Sequence, residues 1–200
     1  VKTVYANTKD KVKFVYAIQS VYPDGSKAGF DFAENVLGPA ANYIDYIGTA
    51  PYLEVNDSAS GNLDDLFAYL FNVGLNPNPS AYGTIANFLT IDLAFAQKYN
   101  LPLIAYEGGQ GLKGATNVQV KIAAQHDPRM FTVYQKYFTL WNQIVGHDHL
   151  FVHFTEIAGE GIYGSWGLLL HGEDLGSQKW DATVALSQTP GDLNFDGVVD

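Results

Sequence analysis

The sequence predicts an α/β protein built on a parallel β-sheet. Strand-like and helix-like patterns alternate along the chain in the order βαβαβαβ, which is typical of parallel strands covered by helices. The strand-like run Leu103 to Tyr106 is apolar, as expected for a strand buried on both faces. With 200 residues, 47% of them hydrophobic, the chain is long enough to bury a sizeable core.

The first two predicted strands carry the β-branched and aromatic residues that favour extended backbone. Val12 to Gln19 forms the first strand, and a helical stretch runs from Phe32 to Leu37. The second strand is Tyr43 to Tyr52. The loop that follows, Glu54 to Asn62, is rich in Asn, Asp, Ser and Gly, which indicates a surface segment, and its length suggests a binding loop.

The middle of the chain contains helix signals on either side of an apolar strand. Asp64 and Asp65 are typical of a helix start. Ser80 is predicted to cap a helix from Tyr82 to Lys98, whose apolar residues recur at helical spacing. The third strand, Leu101 to Glu107, leads into a long glycine-containing loop.

The last third repeats the pattern. Asp127-Pro128 predicts the start of a helix with one apolar stripe, and Gly146 ends it. The fourth strand is Leu150 to Ile157, followed by an aromatic, glycine-rich segment, Ala158 to Gly167. A final helix spans Lys179 to Leu186.

Polar and aromatic residues gather where the predicted strands end. Gln19, Tyr52, Glu54, Glu107 and the segment after Glu156 all lie at carboxyl ends, which share one mouth in a (β/α)8 barrel. About four βα units are half of such a barrel, which needs roughly 250 residues. The sequence therefore predicts the second half of a TIM barrel. An open, doubly wound sheet is the alternative, because strand order cannot be read from the sequence.

Glu107 is the leading candidate for a catalytic residue. The apolar run Leu103 to Tyr106 delivers this carboxylate to a strand end, where Gly108 and Gly109 allow a sharp turn and leave room for a ligand. A structural glutamate, held by an arginine or by loop amides, is the alternative.

Composition narrows the class of ligand. The net charge of −10 argues against nucleic acid, because phosphate binding depends on clustered Lys and Arg. No stretch reaches the apolar length of a membrane span. The absence of cysteine excludes disulfides and thiolate metal sites.

Three motifs carry weaker signals. Gly109 to Gly114 matches GxGxxG, but no helix is predicted to start there, so a nucleotide site is not expected. His147-Asp-His149 resembles a metal cluster but falls in a helix-to-strand turn. His153 fits a hydrogen-bonded core residue and a substrate contact equally well.

The C-terminus matches a calcium loop. Asp192, Asn194, Asp196 and Asp200 occupy ligand positions 1, 3, 5 and 9, with Gly197 at the turn position. The acid expected at position 12 lies beyond Asp200, so the predicted calcium site is incomplete. Residues 187–191 are predicted to be a linker. A chance acidic tail is the alternative.

Three segments carry a resemblance to a known family: Leu101 to Gln110 with Tyr-Glu-Gly-Gly-Gln, Ile44 to Tyr52 with Ala-Pro-Tyr, and Tyr163-Gly-Ser-Trp-Gly167. Over residues 12–186 the chain resembles the C-terminal half of a clan A glycoside hydrolase, and more narrowly secreted bacterial cellulase-like proteins. Gly191 to Asp200 resembles the first calcium repeat of a dockerin. The implied domains are residues 1–186 for the half-barrel and 192–200 for the truncated calcium loop.

The resemblance implies a retaining glycoside hydrolase acting on a polysaccharide or oligosaccharide. It assigns Glu107 as nucleophile and Trp166 as a sugar platform, although a core or lid role for Trp166 is nearly as well supported. Tyr52, Tyr106 and Tyr163 are further expected sugar contacts.

The acid/base of this family lies on a strand that would precede Val1, so we expect the isolated chain to be inactive. Glu54 and Glu156 are less favoured candidates for that role. A secreted or cell-surface location and a cohesin-like partner are implied as well. The alternative is a non-catalytic carbohydrate-binding or scaffold module.

Overall fold

The computed structural model describes residues 12–20, 23–172 and 176–188. Within these ranges the chain forms six α-helices: α1 (Pro23–Leu37), α2 (Leu63–Tyr69), α3 (Ile85–Lys98), α4 (Val118–His126), α5 (Arg129–Ile144) and α6 (Gln178–Gln188). A π-helical turn, Leu70–Gly74, continues α2. The described helices include none that is both long and apolar enough to cross a membrane.

Three strands form a parallel sheet: β1 (Val15–Ala17), β2 (Tyr46–Thr49) and β4 (Leu103–Ala105). Their order in the sheet is their order in the chain, with Tyr16 opposite Ile47 and Gly48 opposite Ile104. A single parallel bridge from Ala105 to Phe151 adds the next segment at the edge. The described strands therefore show no reversal of order, which a doubly wound sheet would require.

A second, two-stranded parallel sheet extends the first along the chain. It pairs β3 (Tyr52–Leu53) with β5 (Gly109–Gln110). Each of these short strands follows closely on a strand of the main sheet, so the backbone is interrupted at Ala50-Pro51 and at residues 106–108. Glu107 lies in the second interruption, where its side chain is free of the regular pleat.

The core lies between the sheet and the helices α3 and α5. Ile47, Leu103 and Ala105 of the sheet are buried together with Leu89 of α3 and Tyr134 of α5. The stripe predicted on α5 is the face that packs, since Val133, Tyr137, Leu140 and Trp141 are buried as well.

The α/β class and the parallel sheet are confirmed, but no closed barrel forms within the described residues. The predicted fourth strand, Leu150 to Ile157, is reduced to two isolated parallel bridges, from Phe151 to Ala105 and from Ile157 to Leu169. Leu150, Val152 and Phe154 are exposed on one face of this segment. Its first half hydrogen-bonds to the end of β4 and the segment after it, and its second half to residues 166–169, so no continuous ladder forms with either neighbour.

Several element boundaries differ from the prediction. Helix α3 begins at Ile85, because the Thr84 hydroxyl caps it by accepting from Asn87 N at 3.0 Å, whereas Ser80 was expected to do so. Helix α4 lies in what was predicted to be a loop. Helix α1 begins earlier than predicted, at Pro23. Helix α2 begins with Asp64 and Asp65 in its first turn, as predicted.

Candidate functional site

A cleft opens at the carboxyl ends of the main strands. Its volume is about 270 Å³, and its lining comprises Gln19, Ser20, Ala50, Tyr52, Glu54, Tyr106, Glu107, Lys113 and Trp166. Four of the five sugar-site residues predicted from the sequence thus share one cleft. The fifth, Tyr163, is 84% exposed and is not part of the lining.

Glu107 is half-buried in this cleft. The turn behind it has no room for side chains, because a Cβ on Gly108 would lie 2.7 Å from Phe151 Cζ, and Gly109 has a φ of +122°. The two glycines therefore allow the predicted sharp turn, and the side chains that they approach most closely, Phe151 and His153, do not line the cleft. Among the described residues, no lysine, arginine or histidine forms an ion pair with Glu107, so it is not the arginine-held structural glutamate of the alternative interpretation.

Tyr52 lies beside Glu107 in the cleft. Burial raises the pKa of the Tyr52 phenol well above its usual range, and the neighbouring Glu107 carboxylate raises it further. Tyr106 and Glu54 add smaller contributions in the same direction. The phenol therefore remains protonated near neutral pH and can donate to the Glu107 carboxylate.

Trp166 forms one wall of the cleft. Its Nε1 donates to the carbonyl of Tyr163 at 2.8 Å, which fixes the orientation of the indole. Tyr52 contacts the indole edge to face at a centroid distance of 4.9 Å. Gly111 and Gly164 flank the ring closely, since a Cβ on either would lie 2.5 to 2.6 Å from an indole atom. The indole is half-buried, which leaves part of it accessible to a ligand.

Glu54 and Lys113 form an ion pair at the mouth, with Lys113 Nζ 3.1 Å from Glu54 Oε1. Lys113 and Ser20 are cleft residues that the sequence interpretation missed. Lys113 lies within Gly109 to Gly114, the glycine-rich segment directly after Glu107. The sequence interpretation considered this segment only as a nucleotide motif and therefore did not predict Lys113. Glu156, the other candidate acid, is exposed and does not line the cleft.

A buried polar chain leads from the cleft to helix α3. The hydroxyls of Ser20 and Thr49 are hydrogen-bonded to each other, and Thr49 donates to Asp92 Oδ2 at 2.6 Å. Asp92 is fully buried and accepts a charged hydrogen bond from Lys27 at 3.0 Å. This chain ties α1 and α3 to the end of β2.

A second buried polar cluster lies behind Trp166. The carbonyl of Ser165 accepts from Gln110 Nε2 at 2.6 Å and from Lys179 Nζ at 3.0 Å. Gln110 also donates to Gln125 Oε1 at 2.7 Å. The backbone next to Trp166 is thereby held by two side chains from β5 and α6.

Two titratable groups of this cluster have strongly shifted pKa values. Burial lowers the pKa of Lys179 to about 7, against a smaller opposing effect of Glu160. Burial also lowers the pKa of His153 to about 4, and the charge of Lys179 contributes. His153 Nε2 is hydrogen-bonded to Tyr134 at 2.9 Å, which fits the core interpretation of this histidine.

The described residues contain no group of three or more side chains that could hold a metal ion. His147-Asp-His149 forms a turn, as predicted, and His149 Nδ1 is hydrogen-bonded to the carbonyl of Leu103 at 2.7 Å. The predicted calcium ligands Asp192, Asn194, Asp196 and Asp200 lie outside the described residues. Helix α6 ends at Gln188, within the span predicted as linker.

Comparison with known proteins identifies no family for this chain. No protein-family model, no curated protein and no solved structure matches the chain.

Proposed function

We propose that this chain is part of a retaining glycoside hydrolase in which Glu107 is the nucleophile. The observation that supports it is a half-buried carboxylate without an ion pair among the described residues, in one cleft with the Tyr52 phenol and Trp166. A free carboxylate next to a neutral donor and an aromatic wall suits attack on a sugar ring, whose apolar face packs on the indole.

The proposed reaction uses two carboxyl groups. Glu107 attacks the anomeric carbon and forms a glycosyl ester, while a second carboxylic acid protonates the departing glycosidic oxygen. That second group then removes a proton from water, which attacks the anomeric carbon and releases Glu107. Retention requires the two groups to lie about 5 to 5.5 Å apart.

We place the acid/base N-terminal to Val1, on the half of a (β/α)8 barrel that would complete the sheet. The sequential parallel order of β1, β2 and β4 supports this architecture, because barrel strands follow the chain in the same way. Glu54 is the carboxylate that shares the cleft with Glu107, but Lys113 engages it at 3.1 Å. We therefore propose that Glu54 binds substrate and does not act as the acid.

The test is covalent labelling of the full-length protein with a panel of 2-deoxy-2-fluoro glycosyl fluorides, followed by peptide mass spectrometry. Labelling at Glu107, lost in Glu107→Gln and kept in Glu156→Gln, is the expected result. Glu156 is the matched control because it is an exposed carboxylate outside the cleft. Labelling at another carboxylate, or undiminished turnover by Glu107→Gln, would contradict the assignment.

A non-catalytic carbohydrate-binding module is the second candidate. It is favoured by one observation: the cleft combines Trp166, Tyr52 and Tyr106 with an ion-paired Glu54. This combination could bind a sugar even if the protein had no catalytic acid/base. Sugar binding by the folded full-length protein, without labelling or turnover, would identify this function instead.

The calcium loop remains a separate proposal. Asp192, Asn194, Asp196 and Asp200 would provide oxygen ligands once residues beyond Asp200 complete the site, as in a dockerin repeat with a cohesin-like partner. Such a module would favour a secreted or cell-surface location. Calcium titration of the full-length protein and of its Asp196→Ala variant tests it, and equal calcium binding by both would contradict it.

A further inference from the structure

A second cleft shares a wall with the one that contains Glu107. Its volume is about 400 Å³, and Tyr52, Glu54 and Lys113 line both clefts. The rest of its lining comes from β3 and the residues after it, from the end of α2 and its π-helical turn, and from Gly83 and the first turn of α3. The Glu54–Lys113 ion pair therefore stands between two neighbouring cavities, each close to or within the size range of small-molecule sites.

The loop predicted to bind a ligand provides part of this second cleft. Val55 and Asn56 line it directly after Glu54. The loop is held in place by its own contacts, since Asn56 Oδ1 accepts from Ser58 N at 3.1 Å and Asp57 Oδ1 accepts from Lys121 Nζ at 2.6 Å. The cleft is thus formed by an anchored segment.

The lining combines aromatic rings with both donors and acceptors. Tyr69 and Phe88 are half-buried, which leaves part of each ring exposed to the cavity. Asn56 and the Glu54–Lys113 pair offer hydrogen-bond donors and acceptors around them. This mixture fits a sugar, which has apolar C–H faces and a rim of hydroxyls.

The charges favour a neutral ligand. Lys113 is the cation of this lining, and Glu54 neutralises it at 3.1 Å. The net charge of −10 for the whole chain disfavours a polyanion further.

We propose that the second cleft is a further sugar-binding site, so that the protein binds a neutral oligosaccharide whose chain passes over the Glu54–Lys113 pair from one cleft into the other. This inference rests on the proposed function and extends it: the substrate is a polymer segment and not a single sugar unit. Glu54 and Lys113 contact the segment between the two sites, and Tyr69 and Phe88 contact the distal units.

The experiment measures affinity against chain length. Calorimetry on full-length Glu107→Gln, which prevents turnover, uses neutral gluco- and manno-oligosaccharides of two to six units. We expect the longest member of the preferred series to bind at least about tenfold more tightly than the disaccharide, because its added units gain ring contacts in the second cleft. Tyr69→Ala is expected to bring this ratio close to one.

Three further variants keep the result interpretable. Asn56→Trp places a large side chain at an exposed position of the second cleft but also removes the contact with Ser58 N. It should therefore reduce the ratio more than Asn56→Ala, which removes the contact alone. Phe32→Ala removes an aromatic ring that is 70% exposed on α1 and lines neither cleft, and it should leave the ratio unchanged.

The outcomes separate this inference from the proposed function. If Glu107 is labelled by fluoro-glycosides but affinity does not rise with chain length, the second site is overturned and the glycosidase proposal stands. No binding of any oligosaccharide by the folded Glu107→Gln protein also overturns it. If affinity rises with length without labelling, the second site stands and the catalytic proposal fails.

Discussion

The ring of Tyr52 meets the indole of Trp166 edge to face, with centroids 4.9 Å apart and ring planes at 73°. The phenol of the same Tyr52 lies beside the Glu107 carboxylate, which contributes to the raised pKa of the phenol. One side chain therefore connects the proposed sugar platform to the proposed nucleophile. A displacement of Trp166 is expected to move the donor beside Glu107, so binding and chemistry should be coupled at this residue.

Tyr52→Phe removes the hydroxyl of this residue and keeps its ring, so it tests the two roles separately. The ring contact with Trp166 is preserved and the donor beside Glu107 is lost, so we expect labelling of Glu107 to slow by about tenfold or more, which corresponds to about 1.4 kcal/mol. Stopped labelling time courses on the full-length protein measure this rate. Tyr43→Phe is the control, because its hydroxyl donates to Gly38 at 3.1 Å and it lines neither cleft. Equal labelling rates in wild type and Tyr52→Phe would show that the hydroxyl has no role.

Gly111→Ala should disturb the cleft directly. The new methyl group would lie 2.6 Å from Glu54 Oε1 and from an indole atom of Trp166, so one of them must move. We expect sugar affinity to fall by about tenfold and stability to fall by about 1 to 3 kcal/mol. Calorimetry and urea unfolding measure the two effects. Gly159→Ala adds the same methyl group in open space and should be nearly neutral. Equal affinities for the two alanine variants would contradict the tight packing of Trp166 on Gly111.

Asp92→Ala tests the buried pair between α3 and α1. Removing this carboxylate leaves Lys27 without its partner at a site where the lysine side chain is only 14% exposed. We expect a loss of about 3 to 5 kcal/mol in the free energy of unfolding, because an uncompensated buried charge is costly. Urea unfolding monitored by tryptophan fluorescence provides the measurement.

The matched control for Asp92→Ala is Asp31→Ala, which breaks an ion pair of the same 3.0 Å length with Lys98 on the surface. Water screens this pair, so the expected change is below about 1 kcal/mol. Similar losses in both variants would mean that burial of the Lys27–Asp92 pair has no energetic consequence.

Lys179→Met should flatten the pH dependence of stability. The pKa of Lys179 is lowered from 10.5 to about 7 in the folded state, chiefly by burial. Between these two values the unfolded chain binds a proton that the folded chain has released, so stability increases as pH rises from about 7 toward 10.5 and is lost as pH falls. The wild-type advantage over the variant should therefore change by up to about 1.4 kcal/mol per pH unit in this window.

Urea unfolding of both proteins at several pH values from 7 to 9.5 measures that difference. Lys98→Met removes a positive charge at a lysine whose side chain is 57% exposed, and it should run parallel to wild type across the window. A Lys179→Met curve that is also parallel to wild type would show that this lysine keeps its ordinary affinity for protons.

The local elements were predictable because their signals are local. The buried strand before Glu107 and the two glycines after it were read from adjacent residues, and so was the apolar stripe of α5. Helix α4 was not predicted, because Gly111 and Gly114 are typical of a loop. In addition, the helix begins after Asn117 without a side-chain cap that would mark its start. The strand expected at Leu150 to Ile157 has a fitting composition but pairs only through isolated bridges at Phe151 and Ile157. Pairing depends on a neighbour that the strand's own residues do not specify.

The sequence by itself determined the α/β class and the position of Glu107 at the end of a buried strand, because periodicity and strand-ending turns depend on residues close together in the chain. The proposed nucleophile role of Glu107 and the proposed sugar contacts come from the resemblance to clan A glycoside hydrolases. Only the tertiary structure decided which of these residues meet. It places Tyr52, Glu107 and Trp166 together, leaves Tyr163 at the surface, and adds Lys113 and the second cleft. These contacts join residues far apart in the chain, and they exist because parallel pairing of β2 with β4 brings two distant strand ends to one edge.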